Sequence, residues 1–157
     1  MLEAGRQSIA SVSPRIVLID PNEPVQAVVT VHDLLSRLSG TVRICDPYVD
    51  AATLEHLDCV SPGQKIELLT ANIRDSGKFR RMLSALLSKG LDIEIRKTGK
   101  KDIHDRYVVD DSMMVIFGSS LNGIGKKQSF VIQAGEDVRG AVLAAFASRW
   151  RKATPWP

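Results

Sequence analysis

The chain has 157 residues, of which 44% are hydrophobic and 25% are charged, and its net charge is +3. This composition suits one α/β domain around a single apolar core, and two cysteines are too few for a disulfide-stabilised scaffold. No apolar run approaches the ~20 residues of a membrane span, and the mild basicity is compatible with a phosphate-bearing partner without requiring one.

The first half of the chain alternates between apolar strands and amphipathic helices. Residues 1–14 lack the basic start and apolar block of a signal peptide, and we expect a loose leader there, before a single domain over residues 15–157. The predicted elements are a strand over 15–20, a helix over 23–38, a strand over 41–45, a short helix from Asp50 to about Leu57, and a strand over 65–70.

The second half brings several strands together. A helix over 76–89 ends at Gly90, and a half-exposed strand follows over 91–96. Strand-like runs are then predicted over 103–109, 113–117 and 129–133, before a last helix over 136–152. This order predicts an α/β fold with a mixed β-sheet of about six or seven strands and helices on both faces.

One segment concentrates polar chemistry. It contains His104-Asp105-Arg106, then Asp111, then Gly118-Ser119-Ser120-Leu121-Asn122. Alternate residues of a strand share a face, so His104 and Arg106 are expected to project together, and the next strand would return the Gly-Ser loop beside them. An imidazole, a guanidinium and several neutral donors around one pocket suit a tetrahedral phosphate anion.

The spacing of this segment resembles the signature of the phospholipase D superfamily, which reads His-x-Lys, four residues, Asp, six residues, Gly-Ser-x-x-Asn. The match covers residues 103–122 and keeps every spacing, with Arg106 in the Lys position. Residues 42–48, and the chain from Leu54 onward, are more weakly similar to the region before the motif in single-motif bacterial members. The resemblance implies a phospholipase D-like half-barrel unit.

The resemblance also implies a role for each residue of the motif. His104 would attack phosphorus and become phosphohistidine, and a second histidine would protonate the leaving oxygen and then activate water. Arg106 would bind the nonbridging oxygens, with hydrogen bonds added by Asn122 and by Ser119 or Ser120. Asp111 would be a structural hydrogen-bond acceptor. The implied reaction needs no metal or other cofactor, and no cluster in the sequence has metal-ligand spacing.

The second histidine is not supplied by another motif in this chain. His32 and His56 lie on predicted helices, where a surface or partly packed histidine is the expected interpretation. A symmetric homodimer is therefore the simplest solution, because it brings His104 of two copies to a shared axis. Since Cys45 and Cys59 form no Cys-x-x-Cys pair, the predicted compartment is a reducing cytoplasm.

Two departures from the family pattern leave two classes of function open. Arg106 replaces the usual Lys, and residues 127–130 carry no carboxylate where family nucleases often have a Glu that orients the histidine. Asp105, Glu136 or another acid would have to replace it. One hypothesis is a nuclease; the other is a catalytically silent domain that binds nucleic acid or another phosphorylated ligand. A lipid phosphodiesterase ranks last.

Candidate substrate-binding residues surround the motif. Lys101, Lys126 and Lys127 form a basic rim that could follow a nucleic-acid backbone, although a solvated loop face explains them equally well. Asp46 and Tyr48 are candidates for the pocket rim, and an ordinary turn at the end of a strand is their alternative.

Overall fold

The computed structural model describes residues 15–157, in which ten strands and four α-helices form two sheets and their covering layers. The strands are β1 (Arg15–Ile19), β2 (Thr41–Cys45), β3 (Tyr48–Val49), β4 (Lys65–Thr70), β5 (Asn72–Ile73), β6 (Asp92–Lys97), β7 (Tyr107–Val109), β8 (Met114–Phe117), β9 (Ser129–Gln133) and β10 (Thr154–Pro155). The helices are α1 (Pro24–Ser36), α2 (Ala51–Glu55), α3 (Ser76–Ser88) and α4 (Glu136–Lys152), with 3₁₀ helices at His56–Cys59 and Leu121–Gly123.

The large sheet has eight strands in the order β1-β9-β8-β7-β2-β4-β6-β10. Its β2, β4 and β6 are parallel, and the other neighbouring pairs are antiparallel. We call the end of the sheet at which β2, β4 and β6 finish its carboxyl end. Because β3 and β5 directly follow β2 and β4 and pair with each other, the small sheet extends this end.

Two apolar layers cover the faces of the large sheet. The larger layer packs α1, α2 and α3 against one face and contains Val108 and Phe79. The smaller layer packs α4 against the other face and contains Tyr107, Phe146 and Trp150. The alternation of Tyr107 and Val108 between the layers follows from the two-residue period of a strand. Successive residues at the start of β7 therefore point to opposite faces of the sheet.

The predicted fold class is confirmed: a mixed sheet lies between helices, and it is open rather than closed into a barrel. The large sheet has eight strands rather than six or seven, because the segment after α4 adds β10 along β6. The predicted leader over residues 1–14 lies outside the described residues. Within residues 15–157, none of the helices combines the length and the apolar character needed to cross a membrane.

The strand predicted over 103–109 is shorter than expected, since β7 begins at Tyr107. Its neighbour β2 ends at Cys45, which pairs with Tyr107, so the residues before Tyr107 have no β2 residue opposite them. His104 and Arg106 consequently lie on the loop between β6 and β7. These two residues are therefore not held in a strand by hydrogen bonds to β2.

Candidate functional site

A polar pocket of about 550 Å³ opens at the carboxyl end of the large sheet, between the small sheet and the loop that follows β8. The predicted site residues that line it are Tyr48, Arg106, Ser119, Ser120, Asn122 and Lys127. The pocket is also lined by Asn72, Arg74, Gly118 and Gln128. The pocket thus combines three cationic side chains with hydroxyl and amide groups.

Arg106 is held in the pocket through Ser120. Its Nε donates a hydrogen bond to Ser120 Oγ at 3.0 Å, and this hydroxyl donates to Asp46 Oδ1 at 2.8 Å. Because Nε makes this contact, the two terminal nitrogens of the guanidinium are left for a ligand. An arginine oriented in this way presents a planar pair of donors, which is the geometry that suits the oxygens of a phosphate.

Asp46 is a buried support beneath the pocket, with 1% of the residue exposed. Besides Ser120, its carboxylate accepts hydrogen bonds from the backbone nitrogens of Tyr48 at 3.0 Å and Leu121 at 2.8 Å. Burial raises the pKa of Asp46 above its ordinary value, against the opposing effect of these hydrogen bonds and of the Arg106 charge. Asp46 therefore joins the end of β2 to the Gly-Ser loop, whereas the sequence suggested a position on the rim.

Asp50 is a second carboxylate that orders the pocket. Its Oδ2 accepts a hydrogen bond from Arg74 at 2.9 Å and one from Asn122 Nδ2 at 3.2 Å, while Oδ1 caps α2 by accepting from Ala52 N. Burial alone would raise the pKa of Asp50, but the hydrogen bonds from Arg74 and from the start of α2 hold it below its ordinary value. Asp50 is therefore ionised at neutral pH, where it positions Asn122 and Arg74.

The Gly-Ser loop brings its backbone very close to β9. A Cβ atom on Gly118 would lie 3.1 Å from Ser129 Oγ and 3.3 Å from Phe130 N, so a larger residue would displace the loop. The neighbouring Ser119 Oγ is buried and has no hydrogen-bond partner within the described residues. A buried hydroxyl without a partner is costly to the folded state.

His104 is exposed on the loop between β6 and β7 and is not part of the pocket lining. The neighbouring Asp105 faces the other side of the sheet, where it lines a groove beside α4 together with Tyr107. Arg106 faces the pocket, so Asp105 and Arg106 point to opposite sides, as expected from the sequence. The structure does not bring His104 and Arg106 together within one pocket.

The two aspartates at the end of β7 differ in their burial and in their contacts. Asp111 has a side chain that is 79% exposed and forms an ion pair with Arg43 at 3.3 Å. Asp110 is completely buried and accepts hydrogen bonds from the backbone nitrogens of Ser39, Ser112 and Met113. Asp110, rather than Asp111, is therefore the aspartate that accepts hydrogen bonds from the backbone at this turn.

Of the three predicted rim lysines, Lys127 lines the pocket. Lys101 and Lys126 are exposed outside it. Gln128 lies in the pocket wall, within the stretch 127–130 that carries no carboxylate. Glu136 pairs with Arg139 at the start of α4 and does not line the pocket. Neither proposed substitute acid, Asp105 or Glu136, reaches this pocket.

Sequence reasoning missed Arg74 and Asn72, and it assigned Asp50 only to a helix cap. All three follow the ends of predicted strands at the carboxyl end of the sheet, which is where ligands bind in parallel α/β sheets. The position of these three residues just after predicted parallel strands could therefore have identified them from the sequence. Within residues 15–157, no group of three or more His, Cys, Asp or Glu side chains is placed to hold a metal ion.

Comparison with known proteins shows similarity at the level of structure. No family model matches the sequence, and no curated protein matches it by sequence. A phospholipase D family member, Nuc from Salmonella typhimurium, superposes with a TM-score of 0.62 at 14% identity, over 92% of this chain and 99% of Nuc. NucT from Helicobacter pylori superposes with a TM-score of 0.64 at 10% identity, over 92% of this chain and 100% of NucT.

A third similar structure is TrmBL2, described as an archaeal chromatin protein with a novel mode of DNA binding. The TM-score is 0.56 at 12% identity, over 91% of this chain and 53% of TrmBL2. These likenesses show that residues 15–157 adopt the phospholipase D fold. At such low sequence identity they establish the fold alone, so the chemistry has to be argued from the pocket.

Proposed function

We propose that this chain is a metal-independent phosphodiesterase that acts on nucleic acid through a phosphohistidine on His104, at a site shared by two copies of the chain. The observation that carries the proposal is the pocket itself. It gathers the guanidiniums of Arg74 and Arg106 with Lys127, Asn122 and the unpartnered hydroxyl of Ser119. This set matches the charge and the hydrogen-bond acceptors of a phosphodiester.

The chemical steps would balance with two histidines and water. The imidazole of His104 attacks phosphorus, the bond from phosphorus to the leaving oxygen breaks, and the partner's His104 gives that oxygen a proton. Water then attacks phosphorus, the nitrogen–phosphorus bond breaks, and the partner's His104 takes the water proton. In both steps Arg106 and the Gly-Ser loop would stabilise the negative charge on the nonbridging oxygens.

The location of His104 supports a shared site. Its imidazole lies outside the pocket of its own chain, on the loop that leads to Arg106. A second copy could supply the missing contacts, as a two-fold axis beside this loop would bring the two imidazoles together.

An exposed apolar surface close to the Gly-Ser loop supports the same assembly. Phe130, which accepts a backbone hydrogen bond from Gly118, is 56% exposed. Its cross-strand neighbour Leu18 is 51% exposed, and Ile16 on the same face of β1 is 61% exposed. Contiguous apolar side chains of this kind are typical of a protein interface. We call Ile16, Leu18 and Phe130 the apolar patch.

Nucleic acid is the proposed substrate class because the pocket is polar and cationic. Nuc and NucT, the similar structures of matching length, have the same fold, and TrmBL2 is described as binding DNA. The pocket wall presents Asn72, Gln128 and Lys127, which can contact sugar and phosphate oxygens.

A second candidate function is phosphate binding without cleavage. It is favoured by the loop around His104, where neither Asp105 nor Glu136 meets the imidazole, and by Arg106 in the usual Lys position. Without a hydrogen-bond partner on its other nitrogen, a nucleophilic histidine is not held in one tautomer. In this case the same pocket would bind nucleic acid or another phosphorylated ligand.

The test compares the purified chain with three variants on labelled DNA and RNA in the presence of a chelator. We expect the activity to survive chelation, to fall at least ~100-fold in His104→Asn because general acid–base and nucleophilic chemistry is lost, and to fall ~10-fold or more in Arg106→Gln. Asp105→Asn is the matched control, because Asp105 lies on the same loop but faces the opposite groove.

A phosphorylated chain trapped with radiolabelled substrate and absent from His104→Asn would identify the intermediate. Cleavage that chelation abolishes, or that His104→Asn leaves intact, would refute the proposed mechanism. Tight binding without cleavage, weakened by Arg106→Gln and unchanged by His104→Asn, would instead establish the second candidate function.

A further inference from the structure

A second basic cleft, of about 640 Å³, opens at the carboxyl end of the sheet beside the end of α4. It is lined by three cationic side chains, Lys97, Arg149 and Lys152, and by one carboxylate, that of Asp102. Lys97 and Lys152 are exposed to solvent. None of these three cations takes part in the pocket around Arg106, so the cleft is a separate feature.

Asp102 is engaged by its own turn. Its Oδ2 accepts hydrogen bonds from Thr98 Oγ1 at 3.2 Å and from Gly99 N at 3.1 Å. A Cβ atom at Gly99 would lie 2.7 Å from this oxygen, so the turn closes tightly on the carboxylate. The hydrogen bonds orient Asp102 towards the backbone of residues 98–102. Within residues 15–157, neither Lys97 nor Lys152 forms an ion pair with a carboxylate, so both lysines are available to an external anion.

The loop between β6 and β7 connects the two basic clefts. Thr98 and Asp102 line the second cleft, Arg106 lines the first, and His104 lies between Asp102 and Arg106 in the chain. Four residues of extended chain span at most ~14 Å, which bounds the separation of Asp102 and Arg106. The strand order agrees, since β7 and β6 are three steps of ~4.8 Å apart in the sheet.

The chemistry of the second cleft suits a polymer backbone better than a single phosphate. Lysine is a mobile point charge without the planar fork of arginine, so it neutralises phosphates without selecting their geometry. Asp102 and Arg106, which line the two clefts, lie at most ~14 Å apart, so a single nucleic-acid strand can reach both clefts within a few phosphates.

We infer that the cleft formed by Lys97, Arg149 and Lys152 binds the phosphate backbone of the same nucleic-acid strand that enters the pocket at Arg106, a few nucleotides from the bound phosphodiester. The strand then crosses the loop that carries His104 and is held on both sides of it. The inference rests on the proposed function for the class of substrate. It adds that the chain prefers long substrates over short ones.

The experiment measures the binding of a fluorescent single-stranded 12-mer and of a dinucleotide by anisotropy over a range of salt concentrations. The variant is Lys97→Gln with Lys152→Gln. The matched control is Lys65→Gln with Lys89→Gln, which removes the same charge from the start of β4 and the end of α3, away from the carboxyl end. Both pairs are exposed, and circular dichroism checks that the variants remain folded.

We expect the variant with Lys97→Gln and Lys152→Gln to bind the 12-mer about tenfold or more weakly. The slope of log K against log salt concentration should fall in magnitude by ~1.4, because two phosphate contacts with a single strand are lost. Binding of the dinucleotide should change less than twofold, because it occupies the pocket alone. The control variant should bind both as the unmodified chain does. Equal losses in the two variants, or an unchanged affinity for the 12-mer, would overturn the inference.

The outcome is separable from that of the proposed function. If the chain hydrolyses a small phosphodiester but does not bind the 12-mer, the second cleft is refuted and the phosphodiesterase stands. If the 12-mer is bound through Lys97 and Lys152 but never cleaved, the second cleft stands and the phosphodiesterase is refuted. Vesicles that contain phosphoinositides serve as a further arm, and stronger binding to them than to the 12-mer would also overturn the inference.

Discussion

Two carboxylates, one buried and one partly buried, hold the pocket in shape. Asp46 ties Ser120 and the backbone of Leu121 to the end of β2, and Asp50 ties Asn122 to Arg74. None of these contacts needs a ligand, so the donors of the pocket are arranged before a phosphate enters. Preorganised donors of this kind are the main source of electrostatic stabilisation in enzymes that handle charged intermediates.

His56 gives a prediction at this scale, because it is 8% exposed and lies behind the Gly-Ser loop. Burial lowers the pKa of His56 below 6.5, as does the nearby His32, whose Nε2 is 3.1 Å from His56 Nδ1. Lys126 acts in the same direction, while Glu55 and the Leu121 backbone oppose it. The neutral imidazole is therefore the form that the folded state favours.

The sign of the pH dependence follows from this difference. Since the unfolded chain binds the proton more tightly, the contribution of His56 to stability is present above pH 6.5 and is lost as the pH falls through the lower, folded-state pKa. The slope is at most ~1.4 kcal/mol per pH unit, because one proton is involved. Urea unfolding between pH 7.5 and 5.0 should show this slope, and His56→Gln should reduce it. A slope that is unchanged in His56→Gln but removed by His104→Asn would contradict the prediction.

At the scale of elements, the turn between β7 and β8 is built around Asp110. Its carboxylate accepts from the backbone nitrogens of Ser112 at 2.7 Å and Met113 at 2.6 Å, and from Ser39 N at 2.8 Å in the segment before β2. The turn therefore sets the register of the hairpin and joins it to the central strand. The two ends of this hairpin carry Arg106 and the Gly-Ser loop into the site.

Adjacent aspartates allow a matched test of this turn. Asp110→Ala leaves three partly buried backbone donors without their acceptor and should lower the free energy of unfolding by ~2–4 kcal/mol. Asp111→Ala removes only an exposed ion pair with Arg43 and should cost less than ~1 kcal/mol. Urea denaturation at neutral pH measures both values. A larger loss of unfolding free energy in Asp111→Ala than in Asp110→Ala would contradict the role of Asp110 in stabilising the turn.

At the scale of the whole molecule, polar and apolar surfaces mark a proposed substrate-binding region and a proposed assembly surface. The two basic clefts lie at the carboxyl end of the sheet, and the apolar patch lies on the outer strands β1 and β9. Because Phe130 is adjacent to the Gly-Ser loop, association of two copies through this patch would bring their pockets into one neighbourhood.

The proposed dimer leads to a prediction about the apolar patch. Replacing Leu18 and Phe130 with Ser should shift the chain from dimer to monomer, because apolar burial at the centre of the interface would be lost. Sedimentation velocity measures the association. Val25→Ser with Val29→Ser is the matched control, since these exposed valines lie on α1 and are not part of the patch. An equal shift in the control, or a dimer that persists without Leu18 and Phe130, would contradict the prediction.

Local patterns were sufficient to predict most elements of the fold. The spacing of apolar residues identified α3 and α4 within one residue of their observed ends, and β2, β4 and β9 at their observed limits. These periods are local properties of the chain. The prediction failed where a partner strand decides the outcome, as at residues 103–106, which extend beyond the end of β2. It also omitted β10, whose two residues carry no periodicity and depend on pairing with β6.

The sequence by itself determined the class of fold and, through one spaced motif, the side chains of Arg106, Ser119, Ser120 and Asn122 that the pocket gathers. Only the tertiary structure decided that Arg74 and Asp50 join them, that Asp110 rather than Asp111 is buried, and that His104 lies outside the pocket. The physical reason is that periodicity and spacing report contacts between near neighbours in the chain. Which distant strand ends meet, and which carboxylate is enclosed, depends on how the strands are ordered and packed in the sheet.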